Sequence, residues 1–192
     1  MTRALFIVDV QNDFTEGGAL GVDGGDAVAE GISALLRDHS DEYAVIIASR
    51  DWHEAEGDNG GHFSATPDFI DSWPVHCVAD TPGADYDPEL VIDAVTHHVR
   101  KGQGQPAYSL FEGVTDDGRT VGDILTEHGT LDVDVVGIAT DYCVRASALD
   151  ALAHGRHVRV LTDLVVGVAA ASSEAALAEL AHAGAELATS QG

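Results

Sequence analysis

The chain of 192 residues is short of lysine, cysteine and aromatic side chains, and each shortage excludes something. Two cysteines, Cys77 and Cys143, are too few for a disulfide framework and suit a reducing compartment. Only 9 basic residues face 33 acidic ones, and the resulting formal charge of −24 repels phosphate backbones and anionic lipid. Nucleic acid and membrane surfaces are therefore not expected as partners. No apolar run approaches the ~18 residues of a membrane-spanning helix. Met1 to Leu5 leads straight into strand-like sequence without the apolar stretch of a signal peptide, so a cytoplasmic protein is expected. Aromatics are 6% of the chain and apolar residues 45%, which predicts a core of alanine, valine, leucine and isoleucine. Lysine occurs once, as Lys101, against eight arginines. A GC-rich genome or adaptation to high salt would deplete lysine, but neither explains the one that remains. A position that needs an ammonium with a movable pKa resists replacement by a guanidinium.

What is present is an alternation of apolar strands and amphipathic helices. Leu5–Val10, Tyr43–Ser49, Thr96–Lys101, Val133–Ile138 and His157–Leu161 read as strands, with a short sixth near Glu186–Ala188. Helices are predicted after Asp26 (as N-cap), over Pro88–Ala94, around Val121–His128, from Cys143 to Gly155, and over Ser172–Gly184. Residues 54 to 88 have no period, and so long an irregular segment inside a domain is usually functional. The reading is a single α/β domain, 1–192, with a mainly parallel six-stranded sheet and helices on both faces. In such sheets the site lies beyond the C-terminal strand ends. Asp9, Asp51, Lys101 and Cys143 each fall at or just after one.

These residues make a chemical set. Cys143 opens a helix directly after a strand, where free N–H groups and the helix dipole favour a thiolate and can hold an oxyanion. Asp9 can take the thiol proton, and Lys101 can hold the thiolate. Acyl transfer through a thioester is the reaction these parts serve. Asp51 and His53, two apart on an extended segment, point to one face. With His76 or His62 from the irregular segment they make a reasonable site for Zn²⁺, Fe²⁺ or Mn²⁺. The other seven histidines read as structural or surface residues. Gly102-Gln103-Gly104-Gln105-Pro106-Ala107 matches a dinucleotide fingerprint, but Pro106 and the lack of a following helical period mark the match as chance.

Several ordered blocks carry a resemblance over almost the whole chain. They are Ile7-Val8-Asp9-Val10-Gln11-Asn12-Asp13-Phe14 with Gly17-Gly18, Arg50-Asp51-Trp52-His53, and Ser72-Trp73-Pro74-Val75-His76-Cys77-Val78 with Thr81-Pro82-Gly83-Ala84. They continue in Lys101-Gly102, Ala107-Tyr108-Ser109, Phe111-Glu112-Gly113 and Gly137-Ile138-Ala139-Thr140-Asp141-Tyr142-Cys143-Val144. The sequence resembles the nicotinamidase branch of the isochorismatase-like cysteine hydrolase family. That resemblance implies an Asp9–Lys101–Cys143 triad, an oxyanion hole from the Ala139 and Cys143 amides, and a cis peptide bond between Ile138 and Ala139. It implies one divalent metal, zinc before iron or manganese, held by Asp51, His53 and His76, with His62 an added ligand in some relatives. The loop from Glu54 to Gly61 is longer here than in those relatives. The ring of a substrate such as nicotinamide or pyrazinamide is implied to lie between Phe14 and Trp73, with Tyr108, Ile138 and Tyr142 close by. Tyr142 stands where relatives vary. A sister hydrolase for another small amide, and a non-enzymatic metal- or ligand-binding module, are the competing readings. Isochorismatases proper generally lack the cysteine. Either a monomer or a homo-oligomer is compatible with the sequence.

Overall fold

The computed structural model describes residues 2–191. Its six strands are β1 (Arg3–Val8), β2 (Tyr43–Asp51), β3 (His97–Lys101), β4 (Asp132–Ile138), β5 (His157–Val166) and β6 (Glu186–Ala188). They form one sheet in the order β3-β2-β1-β4-β5-β6, and every neighbouring pair is parallel. The direction of winding reverses between β1 and β4, which opens a crevice at their C-terminal ends. Asp9 follows β1, and Cys143 lies five residues beyond β4, so both flank that crevice.

Four helices, α1 (Gly25–His39), α2 (Val121–Glu127), α3 (Arg145–Ala153) and α4 (Ala170–Ala183), cover the sheet. Alternation along β1 divides its side chains between the two faces. Leu5 and Ile7 pack with Val28, Ile32 and Leu36 of α1, while Ala4, Phe6 and Val8 pack with Ile124, Ala148 and Leu180 of the other three helices. The layered arrangement is the expected one. The core is built from small aliphatic residues, with Phe6 the largest fully buried side chain.

Several local expectations change. Residues 88–94 form two separate turns rather than a helix, closed by Leu90 N to the Asp87 carbonyl and Val95 N to the Ile92 carbonyl, with no i→i+4 bond between them. Asp26 lies in the first turn of α1 and does not cap it. The N-cap is Gly24, and the Glu16 carboxylate accepts from the Gly24 and Asp26 amides at 2.6 and 2.7 Å. A carboxylate eight residues upstream does the work expected of a local one. Strand β5 continues five residues past Leu161, because a register shift beside β4 re-forms the ladder at Gly137–Val165. Gly137 sits at φ 117, and a Cβ there would come within 2.7 Å of the Val8 nitrogen, so no larger residue fits between β1 and β4. The Ile138–Ala139 peptide bond is cis. Among the described residues no helix is long and apolar enough to cross a membrane.

Candidate active site

Four strand ends deliver the polar groups to one place. Lys101, ending β3, is 1% exposed and reaches inward between two carboxylates. Its Nζ pairs with Asp9 Oδ2 at 2.9 Å and with Asp51 Oδ1, donates to the Ala107 carbonyl at 3.3 Å, and stands 3.8 Å from Cys143 Sγ. Asp9, itself wholly buried at φ 48, also accepts a 2.7 Å bond from the Ser49 hydroxyl. One oxygen each of Asp9 and Asp51 and the Cys143 sulfur all lie within 4.8 Å of one another. A buried cation between two carboxylates satisfies charges that would otherwise be costly to bury.

Electrostatics follow from this packing. Burial alone pulls the Lys101 ammonium down, but Asp51 and Asp9 overcome it and hold its pKa well above the usual lysine range. Burial raises the Asp51 carboxyl, yet Lys101 and the neighbouring histidines reverse that and leave it below its ordinary value. Asp9 is pushed up by burial, against the pull of Lys101. Cys143 differs from the expectation set by its position. It sits in a π-helical turn, Thr140–Val144, that leads into α3, and burial followed by Asp9 and Asp51 raises its pKa against Lys101. Desolvation therefore acts against the helix dipole here. The amides on either side of Cys143, those of Tyr142 and Val144, both donate to the Ala139 carbonyl at 3.1 and 3.0 Å. That bonding fixes the turn in which the Ala139 and Cys143 amides lie.

Beside the thiol is a cluster of three buried histidines. One ring nitrogen each of His53, His62 and His76 lie within 4.8 Å of one another. Asp51 Oδ2 is 3.8 Å from His53 Nε2 and 3.9 Å from His76 Nε2. His53 Nδ1 bonds the Gly102 carbonyl at 2.8 Å and His76 Nδ1 the Pro74 carbonyl at 2.7 Å, which leaves both Nε2 atoms free to face inward. Gly102 has φ 78, and a Cβ on it would lie 2.6 Å from His53 Cε1, so glycine is required for this approach. His53 Nε2 and His62 Nδ1 are buried without a hydrogen-bond partner. Burial, with His53 and His76 adding to it, pulls the His62 pKa down to about 4, and burial also lowers that of His76. Three buried imidazoles beside a carboxylate, two of them with an orphaned nitrogen, are a donor set that suits a divalent metal. The donors fit such an ion, and the Asn59 side chain, which bonds the Glu54 amide and carbonyl, closes the loop that carries His62 to the other two rings.

A cavity of about 190 Å³ joins the two groups. The thiol, Asp51, His62 and His76 open into it, and Phe14, Trp73, Tyr108, Ile138, Ala139 and Tyr142 contribute to its walls. The structure thus brings together the whole set read from sequence. It adds Leu20, Val22, Phe69 and Val168 to the wall, residues on aperiodic or distant segments that no pattern marked. It also adds two supports. Gln11 clamps the end of β2 by accepting from Asp51 N at 2.8 Å and donating to the Asp51 and Ala84 carbonyls at 3.0 Å. The Asp141 carboxylate accepts from Val168 N, Ala169 N and the Ser172 hydroxyl, tying the cysteine turn to the start of α4.

Comparison with known proteins agrees with this architecture. Residues 3–192 match the model of the isochorismatase domain. The chain is 50% identical over 185 residues to the nicotinamidase/pyrazinamidase of Mycobacterium tuberculosis, covering 96% of this chain and 97% of that one. It superimposes on the pyrazinamidase of Pyrococcus horikoshii in complex with zinc with a TM-score of 0.83 at 39% identity, over 98% and 99% of the two chains. PnC1 from L. infantum in complex with nicotinate gives a TM-score of 0.84 at 35% identity, over 99% of this chain and 93% of that one. With a matching domain model over nearly its full length and relatives of this identity, the chain belongs to the isochorismatase-domain family, on its nicotinamidase side.

Proposed function

We propose that this protein hydrolyses nicotinamide to nicotinic acid and ammonia through a thioester on Cys143, with zinc as its divalent metal. The observation that carries the proposal is one cavity shared by a buried Asp9–Lys101–Cys143 set and a histidine–carboxylate cluster with orphaned ring nitrogens. Amide hydrolysis through a thioester calls on the first set alone; the second suits a substrate carrying a ring nitrogen. The relatives' names, nicotinamidase and pyrazinamidase, and the nicotinate and zinc complexes support the same substrate class and metal.

Asp51, His53, His62 and His76 would hold the metal, which when bound supplies a Lewis acid for the heteroaromatic nitrogen. Phe14 and Trp73 flank the ring, and Tyr108, Ile138 and Tyr142 complete its surroundings. Asp9 takes the thiol proton as Cys143 Sγ bonds to the carboxamide carbon. The oxyanion is held by the Ala139 and Cys143 amides and by the Lys101 ammonium. The C–N bond then breaks, and ammonia leaves with the proton from Asp9. Water attacks the thioester carbon and gives its proton to Asp9, the S–C bond breaks, and the proton returns to sulfur. Burial raises the pKa of the thiol, which gives Asp9, with an oxygen within 4.8 Å of the sulfur, its role as the base.

The protein acts in the cytoplasm on a small molecule, as a monomer or homo-oligomer, without nucleic acid or membrane. The net charge of −24 supports that choice of partner. The test is ammonia release from nicotinamide by purified protein before and after chelation, with zinc, iron or manganese restored in turn. Turnover lost on chelation and recovered with zinc is the expected result, and Cys143→Ala abolishes it with the fold intact. A Cys143→Ala variant of normal activity ends this account.

A further inference from the structure

The loop from Ser64 to Ser72, whose ends are tied together, supplies Phe69 as a roof to the cavity. Ser64 N donates to the Trp73 carbonyl at 2.9 Å, and Trp73 N to the His62 carbonyl at 2.8 Å. The tip of the loop holds its own shape. The Asp68 carboxylate accepts from the amides of Ile70, Asp71 and Ser72 and from the Ser72 hydroxyl, and Phe69 N donates to the Ser72 carbonyl at 3.1 Å. Phe69, at φ 58, lines the cavity while 53% exposed.

Two phenols reach this tip from separate elements. Tyr142, in the turn that carries Cys143, donates to the Phe69 carbonyl at 3.3 Å. Tyr108, in the segment after β3, donates to the next carbonyl, that of Ile70, at 3.5 Å and accepts from Trp73 Nε1 at 3.1 Å. Both bonds to the tip are longer than the ~2.7–2.8 Å usual for O–H···O, so each is weak. A short turn on so weak a fastening can lift from the cavity, and once it is no longer held there its own amide bonds fray with it. The fastening also joins the roof to the residue directly before the nucleophile.

We infer that Tyr108 and Tyr142 clasp the Phe69–Ile70 tip across the cavity mouth, and that the Tyr142 hydroxyl is a specificity determinant favouring small unsubstituted carboxamides. A ring with an alkyl group has to push Phe69 outward against both bonds. Without the Tyr142 hydroxyl, only the longer Tyr108 bond resists. The choice of substrate rests on the amidase reading; the clasp does not. Tyr142→Phe keeps the edge-to-face contact with Trp73, whose ring centroid lies 5.0 Å away at 88°, so the substitution isolates the hydrogen bond.

The experiment compares zinc-loaded wild type with Tyr142→Phe by three readouts. Loss of one weak bond should speed amide hydrogen exchange at residues 69–72 by about 3- to 10-fold while residues 141–144 keep their protection. Alkylation at the Cys143 peptide should shift by a similar factor toward a bulky maleimide relative to iodoacetamide. The ratio of kcat/KM for 5-methylnicotinamide to that for nicotinamide should rise by about the same factor. Unchanged exchange and alkylation overturn the clasp whatever the activity does. A response in both with an unchanged substrate ratio overturns the specificity role, leaving the hydroxyl merely structural. A wild type inactive on nicotinamide, with the alkylation shift present, sinks the amidase reading and supports the clasp. If Tyr142→Phe does not fold, Tyr108→Phe carries the same expectation through the Ile70 carbonyl.

Discussion

Replacing Lys101 with methionine tests the physical heart of the site. Lys101 and Asp9 are both fully buried side chains paired at 2.9 Å, and Asp51 is the second carboxylate on the same ammonium. Methionine keeps the volume and removes the charge, leaving two carboxylates buried beside one another. Removing one partner of a buried pair costs about 3–5 kcal/mol. For a domain of this size each kcal/mol lowers Tm by roughly 2–4 °C, so a fall of about 6–20 °C is expected in the chelated protein. Adding Asp9→Asn to Lys101→Met removes one of the stranded charges and should recover part of the loss, a coupling of at least about 1 kcal/mol. Thermal and urea unfolding of the wild type, both single variants and the double variant complete the cycle. A Lys101→Met protein within about 1 kcal/mol of wild type, or strictly additive variants, would show that the carboxylates do not depend on this cation. Turnover should be lost in all three variants.

Other expectations follow from the same geometry. His62→Ala should weaken zinc binding at least about tenfold in a competition titration, because it removes an orphaned buried nitrogen from the cluster; unchanged affinity would take His62 out of the ligand set. The folded His62 imidazole titrates at about 4 rather than at 6.5. The unfolded chain therefore binds the extra proton in that window, and the metal-free protein gains stability as pH rises from about 4 to about 6.5. A Tm difference between wild type and His62→Gln that stays flat across this window contradicts the assignment. With a net charge of −24, self-repulsion should make Tm rise with added salt over the range where the Debye length shortens from ~30 to ~3 Å. A Tm indifferent to salt would show that the acidic groups are already locally compensated.

Much of this was decided by short-range patterns. Strand ends at Val8, Asp51, Lys101 and Ile138 placed Asp9, Lys101, Asp51 and Cys143 on one edge, since parallel α/β topology leaves little choice of where C-terminal strand ends go. The motif blocks then pointed to the metal cluster and the ring-binding walls. Tertiary structure decided what depends on partners far along the chain. Gln11 and Asp51 are 40 residues apart, Asp141 and Ala169 28, and Tyr142 and Phe69 73, and no local period announces such pairs. His62 reaches the cluster only through the fold of an aperiodic loop. The environment of the Cys143 thiol is decided the same way. The helix start favours a thiolate, but how much water the packed site excludes is a property of the whole fold, and burial pushes the thiol's pKa up.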